Sequence, residues 1–197
     1  MGEIKSALEL ALEKTEDVQG DRKSLAMHEH KQIGKRLVSK VIDAEEVDLA
    51  TEFARYDAEK QSWVKQGFFE VLLINIKLPN DDVELQRIRR LEHGFKAVIR
   101  DTKQLRELFK QLDSLLEQYL ENRRQMIEAI RQQFEGRIRQ KEQEMQRQMG
   151  SQVRLDPASD PEFAQYLREN MNRLQEQYSG VLDQVKQQLQ QLFDSGR

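Results

Sequence analysis

Phe68-Phe69-Glu70-Val71-Leu72-Leu73-Ile74-Asn75-Ile76 is the stretch that decides the fold class. Its apolar density and β-branched residues suit a buried strand as well as a buried helix, and periodicity does not separate the two. The rest of the chain does. No second strand-like run exists to pair with it, and a lone strand leaves its backbone N–H and C=O groups unmatched. The run is therefore read as helix, buried nearly all round and ending before Pro79, because a residue preceding proline is pushed out of the α region. The whole chain is then expected to be all-α.

Upstream, Val47, Ala50, Phe53, Ala54, Trp63 and Val64 recur at helical spacing, so the helix is expected to span about 45–78. Before it, Ile4, Leu8, Ala11, Leu12 and Thr15 form the stripe of a first short helix that ends near Val18, with Gly20 as its C-terminal cap. Asp21 caps a second helix carrying Leu25, Ile33, Leu37, Val38, Val41 and Ile42.

Downstream, Pro79-Asn80-Asp81-Asp82 reads as a turn followed by helix-capping acids. From Leu85, Ile88, Leu91, Phe95, Val98 and Ile99 through Leu105, Phe109, Leu112, Leu116 and Tyr119 to Met126, Ile130, Phe134 and Ile138, the apolar positions step by threes and fours without a proline. One helix over 82–149, about 100 Å long at 1.5 Å per residue, is the expectation, with Gly94 and Gly136 as its weak points. Arg123 interrupts its seam. After residues 150–160, Asp160-Pro161 caps and starts a last helix with Phe163, Leu167, Met171, Leu174, Tyr178, Val181, Val185, Leu189 and Leu192 on one stripe.

Short connections favour antiparallel neighbours. The expected architecture is an elongated bundle with a long central helix and a protruding antiparallel coiled-coil hairpin. Residues 1–115 form the N-terminal bundle, 116–197 the arm, and the central helix is continuous across the boundary. In the first hairpin, paired positions summing to about 160 bring Phe68, Phe69 and Phe95 to one level and set Gly67 opposite Gly94.

Composition narrows the function classes. Charged residues are 34% against 38% hydrophobic, which matches long helices and coiled coils. A net charge of -3 argues against a dedicated polyanion binder. The absence of cysteine excludes a disulfide framework, thiol catalysis and a Cys-based zinc site. No apolar run approaches the roughly 20 residues of a membrane span. No secretory signal is recognised, so a cytoplasmic protein is expected. Met1-Gly2-Glu3-Ile4-Lys5-Ser6 matches the formal myristoylation pattern, but Glu3 suits it poorly and the start of an acidic helix is the better reading.

Chemistry-bearing constellations are weak. His28-Glu29-His30 places its histidines two apart, on different sides of a helix, which is wrong for shared metal ligation. His93 reads as a structural histidine near Trp63 or the phenylalanines. Arg123, Arg124, Arg131, Arg137, Arg139, Lys141 and Arg147 form a basic track, but Glu121, Glu128, Glu135, Glu142 and Glu144 interleave with it at ion-pairing intervals. No phosphate loop, nucleophile elbow or isolated acid/base pair stands out. No catalytic, metal or cofactor residue is nominated, and the chain is not expected to be an enzyme.

The opening Met1-Gly2-Glu3-Ile4-Lys5-Ser6-Ala7-Leu8-Glu9-Leu10-Ala11-Leu12-Glu13-Lys14-Thr15 resembles the start of an uncharacterised bacterial family of helical proteins of unknown function. That resemblance implies a bacterial, cytoplasmic origin and supplies no activity. In shape alone the chain resembles the helical adaptors and stalk subunits of larger machines. The expected function is a non-enzymatic interaction or scaffold protein that bridges protein partners. A nucleic-acid-associated protein using the arginine-rich arm is the alternative. Two candidate surfaces follow. Val153, Arg154 and Leu155 at the arm's tip are the expected partner contact, since loops on rigid scaffolds often carry function. Phe68, Phe69, Leu72, Leu73 and Ile76 are the expected self-association surface of a homodimer, because one neighbouring helix cannot cover them all.

Overall fold

A computed structural model describes residues 7–43, 47–149 and 154–196, with side chains for all of these except 7–20, 149 and 158. The described residues contain no strand. Six α-helices follow in order: α1 (Ala7–Ile42), α2 (Leu49–Ala54), α3 (Ala58–Asn75), α4 (Asp82–Lys96), α5 (Thr102–Met149) and α6 (Pro161–Ser195), with a 3-10 turn at Pro157–Ser159. The deciding stretch is helical through Asn75, and Ile76 turns extended (ψ 100°) ahead of Pro79.

Three expected boundaries are corrected. The first two helices are one, α1 passing through Gly20 without a break. Mid-helix glycine costs only about 1 kcal/mol, less than the cost of nucleating a new helix after it. The expected helix over 45–78 is two. Asp48 caps α2 by accepting from the Ala50 and Thr51 amides, and Asp57 caps α3 by accepting from the Lys60 amide at 3.0 Å. The break folds α2 back on α3, so that Phe53 meets Phe68 edge-on at 5.5 Å. Gln61 secures the turn by donating to the Phe53 carbonyl at 3.0 Å.

The third correction is the largest. The helix expected over 82–149 reverses after Lys96, and Asp101 starts α5 by accepting from the Lys103 and Gln104 amides. Pairs then run in opposite directions along α4 and α5: Phe95 against Phe109, Arg89 against Asp113, Asp82 against Arg124. The reversal lies just past Gly94, whereas Gly136 stays inside α5. With 48 residues, α5 is about 72 Å long rather than about 100 Å.

The α3–α4 hairpin has nearly the expected register, with Phe69 edge-on to Phe95 at 5.7 Å and Lys77 bridging to Glu84 at 3.4 Å. Gly67 does not face Gly94, however. It faces α1, which runs parallel to α3, as shown by Lys23 beside Glu59, Lys31 at Gly67, and Lys35 beside Glu70. A Cβ on Gly34 would stand 1.9 Å from the Val64 carbonyl oxygen, and one on Gly67 would stand 2.1 Å from that of Lys31. The two glycines bring the backbones of α1 and α3 into contact. Gly94 meets side chains instead, Leu72 and Phe68.

The face of 68–76 is therefore covered within the chain. Phe68, Phe69, Leu72 and Ile76 are buried and Leu73 is half-buried. The cover comes from α1, α2, α4 and the end of α6, where Phe193 stacks on Phe69 at 4.0 Å and 7°. Of that stretch only Ile74 is left outside, 73% exposed. These residues do not form an available self-association surface, and the argument for a homodimer through them loses its premise.

α6 returns antiparallel along α5, with Phe163 against Phe134 and Tyr178 against Tyr119. Its seam departs from the expected one at two positions: Val181 is 45% exposed and Leu182 takes the buried place, and Leu192 is half-buried while Phe193 is buried beside it. Helix α5 is continuous across residues 115 and 116, and α6 packs on both sides of that level.

Candidate interaction site

The arm is the part of α5 and α6 that outruns the bundle. Helix α4 begins at Asp82, whose carboxylate meets Arg124 at 2.5 Å, and Arg123 donates to the Asn80 carbonyl at 2.8 Å. Beyond that level α5 continues for 25 residues, roughly 37 Å, accompanied only by α6 and the turn that leads into it. The seam interruption foreseen at Arg123 is thus the place where the third helix ends.

Two apolar clusters divide the arm. The main core extends up α5 to Leu120 and up α6 to Leu174. A separate cluster near the tip contains Ile130, Phe134, Ile138 and Phe163. Between them no residue of 121–129 or 164–173 is buried. Asn122 donates to the Tyr178 hydroxyl at 2.7 Å at the inner edge of this stretch, and Met126 touches both clusters.

Polar pairs hold the tip. Lys141 meets Asp160 at 2.5 Å and Arg137 meets Glu162 at 2.6 Å, each joining α5 to the start of α6. Asp160 also caps α6, accepting from the Glu162 and Phe163 amides. Its carboxyl is held below the usual carboxylate range, chiefly by Lys141 and then by those amides, while the Lys141 ammonium is pushed up by the same partner. The guanidinium of Arg137 lies 5.6 Å over the Phe134 ring. Several arginines of the basic track are thus engaged: Arg139 pairs with Glu135, and Arg124 with Asp82 and Glu121.

Of the tip residues nominated from sequence, Arg154 is exposed and Leu155 is half-buried, packed against the tip cluster with its amide donating to Glu142 at 2.8 Å. Val153 lies outside the described residues. Leu155 therefore anchors the loop, leaving Arg154 as the outward group of the pair. The myristoylation pattern at residues 1–6 also lies outside the described residues.

The histidines stand apart. His28 is exposed, whereas the Nδ1 of His30 sits 2.6 Å from the Ala26 carbonyl and its ring meets Tyr56 and Trp63 at 5.6 and 6.0 Å. His93 is not at Trp63 or in the phenylalanine group. It is exposed in a groove beside Asp48, Leu49 and Lys96. Among the described residues, no group of three or more His, Cys, Asp or Glu is placed to hold a metal ion, and no helix is long and apolar enough to cross a membrane.

One feature missed in the sequence lies between α4 and α5, a groove of about 410 Å³ floored by Ile88, Phe109, Leu112 and Leu116. Arg89 crosses the hairpin there, donating through Nε to Asp113 at 2.5 Å and through a terminal nitrogen to Glu117. Its pKa is raised, first by the bond to Asp113. These partners are 24 and 28 positions away in sequence, so only knowledge of the reversal after Lys96 could have paired them.

The model of a family of unknown function, DUF6657, matches residues 50–191, more than half of the chain, and the chain belongs to that family. The match runs from α2 into the last turns of α6 and includes the whole arm. No curated protein and no solved structure matches the chain.

Proposed function

We propose that this member of the DUF6657 family is a non-enzymatic, cytoplasmic interaction protein that bridges protein partners, the bundle serving as the base and the α5–α6 arm as the reach. The observation that carries the reading is the roughly 37 Å of α5 beyond its last contact with α4, paired with α6 as far as Arg137 and Glu162 and with the turn before α6 after that. A two-helix projection buries little of its own surface, and a chain that extends one gains contact area at a distance from its core. Arg124, Arg137, Arg139 and Lys141 of the basic track are engaged with carboxylates of α4, α5, α6 and its cap, which favours a protein partner over a phosphate backbone.

The test replaces the outer arm, 127–171, with a short Gly/Ser turn that leaves 102–126 paired with 172–195. Partners crosslinked in the native host are then compared with those of the full chain. The expected result is a folded protein by circular dichroism that loses a defined subset of partners and retains others. An unchanged partner set would overturn the bridging role. Salt-dependent binding of the full chain to random DNA, lost with the arm, would favour the nucleic-acid alternative instead.

A further inference from the structure

The division of the apolar core along α5 and α6 has a dynamic consequence. In the bundle, α5 is buried against α4 and α6 through Leu105, Phe109, Leu112, Leu116 and Tyr119, all in one cluster with α1 and α3. In the outer arm a single helix faces a single helix through Ile130, Phe134, Ile138 and Phe163. The stretch joining them has no buried side chain on either helix, and at its inner edge Asn122 donates to the hydroxyl of Tyr178, which packs with the main core. Opening at this belt would leave every buried contact of the main core in place, because only Met126 is shared between the clusters. Regions with few buried apolar contacts open below the global unfolding free energy, and they do so in contiguous units.

We propose that the outer arm, α5 beyond about residue 126 together with α6 before about residue 172, is a separately opening unit hinged at the belt of Asn122, Met126 and Tyr178. Its two helices part from one another while the bundle stays folded. Opening exposes Phe134, Ile130 and Phe163, which the closed arm keeps buried, so the arm passes between a closed polar surface and an open apolar one. Asp160–Lys141 and Arg137–Glu162 act as the outer latch, since both pairs join the segments that separate. This device concerns the arm's motion alone and stands whether or not the arm binds a partner.

Hydrogen exchange read by mass spectrometry on the full chain tests it. Amides of 127–148 and 162–172 are expected to exchange together and well ahead of those of 105–120 and 182–193. In Phe134→Ala, exchange in both outer segments should rise by roughly a hundredfold, which corresponds to about 3 kcal/mol, or reach the unprotected rate. The bundle's amides should keep wild-type rates. Tyr178→Phe removes the belt's acceptor without emptying either cluster, and it should speed the outer segments by a few fold while sparing 105–120. Equal acceleration of bundle and arm in Phe134→Ala would overturn the proposal, because the two would then be one cooperative unit. A smooth gradient of rates along α5, or outer segments of α5 and α6 exchanging at unrelated rates, would also overturn it.

Discussion

The bundle and the arm share two helices, α5 and α6, yet these are held in different ways in each. In the bundle, α5 and α6 are buried by neighbours on several sides, and α1 approaches α3 so closely that Gly34 and Gly67 bring backbone onto backbone. In the arm the same helices have only each other and the turn before α6, a buried cluster of four residues, and ion pairs in which the Asp160 carboxylate is largely covered while Lys141, Arg137 and Glu162 are exposed. Exposed ion pairs contribute little each, so the arm's stability rests on its few apolar contacts and on the continuity of α5 and α6 from the bundle. A helix pattern in sequence thus reports what can be buried, not how many neighbours bury it.

The comparison is most exposed to attack at the bundle's aromatic centre. Phe69 touches Phe95 and stacks on Phe193, tying α3 to α4 and to the far end of α6. Phe69→Ala should cost about 4 kcal/mol, the usual range for emptying a buried aromatic site. At 2 to 4 °C per kcal/mol for a chain of this size, the melting temperature falls by roughly 10 °C. A shift below about 2 °C would show that α6 is not anchored in the bundle through Phe69.

Next in size is the α1–α3 crossing. Gly67→Ala sets a methyl where the Lys31 backbone already stands, and neither helix backbone can yield locally. The helices must separate, at a cost of about 3 kcal/mol, the upper part of the range for overpacking. Gly136→Ala in the arm is the control: a Cβ there meets nothing within 4 Å, and the helix gains propensity. Denaturant unfolding should show the first variant destabilised and the second unchanged or slightly stabilised. Equal midpoints would remove the close crossing from the account of the bundle.

How far the sequence could be read follows the same contrast. The turn at Pro79 and the Asp160-Pro161 start of α6 were legible because proline and a capping acid occur together there. The breaks at Asp57 and Asp101 were not, since a lone aspartate in a periodic run also suits an exposed helical face, as Asp183 does within α6. The reversal after Lys96 is the clearest case. Leu85, Ile88, Leu91 and Phe95 hand over to Leu105 and Phe109 with no change of period, because both limbs of the hairpin bury the same kind of stripe. Of the candidate surfaces, Phe68, Phe69, Leu72 and Ile76 were rightly seen as apolar all round, but the parallel approach of α1 that covers part of that face is marked only by Gly34 and Gly67, which do not say which helices meet. Arg89 with Asp113 and Glu117 was invisible for the same reason.

A finer test separates two adjacent residues of α6. Leu182 is buried and Val181 is 45% exposed, the reverse of what even spacing of the seam suggests. Leu182→Ala should cost about 2 to 3 kcal/mol, and Val181→Ala should stay within about 0.5 kcal/mol. Comparable losses in both would mean that the helix is rotated and the seam follows the simple stripe after all.

The smallest expected effect is acid loosening of the arm. Asp160 has a carboxyl pKa below its ordinary value of 3.8, set first by Lys141 and then by the cap amides. A carboxyl depressed in the folded state stabilises fully above the unfolded value, and the contribution is lost as pH falls through the folded value. Lys141 is raised above 10.5, so its share is complete below that pH and is lost as pH rises through the folded pKa. The Asp160–Lys141 pair is therefore intact from about pH 5 to about pH 10. Asp160→Asn keeps a capping oxygen but removes the charge. In the wild type, amide protection of the arm relative to the bundle, corrected for the intrinsic pH dependence of exchange, should fall slightly between pH 5 and pH 3. In Asp160→Asn that fall should be smaller, and protection at pH 5 should already lie nearer the acid value. A pH response of the arm that is undiminished in Asp160→Asn would assign the loosening to other carboxylates and leave Asp160 as a helix cap alone.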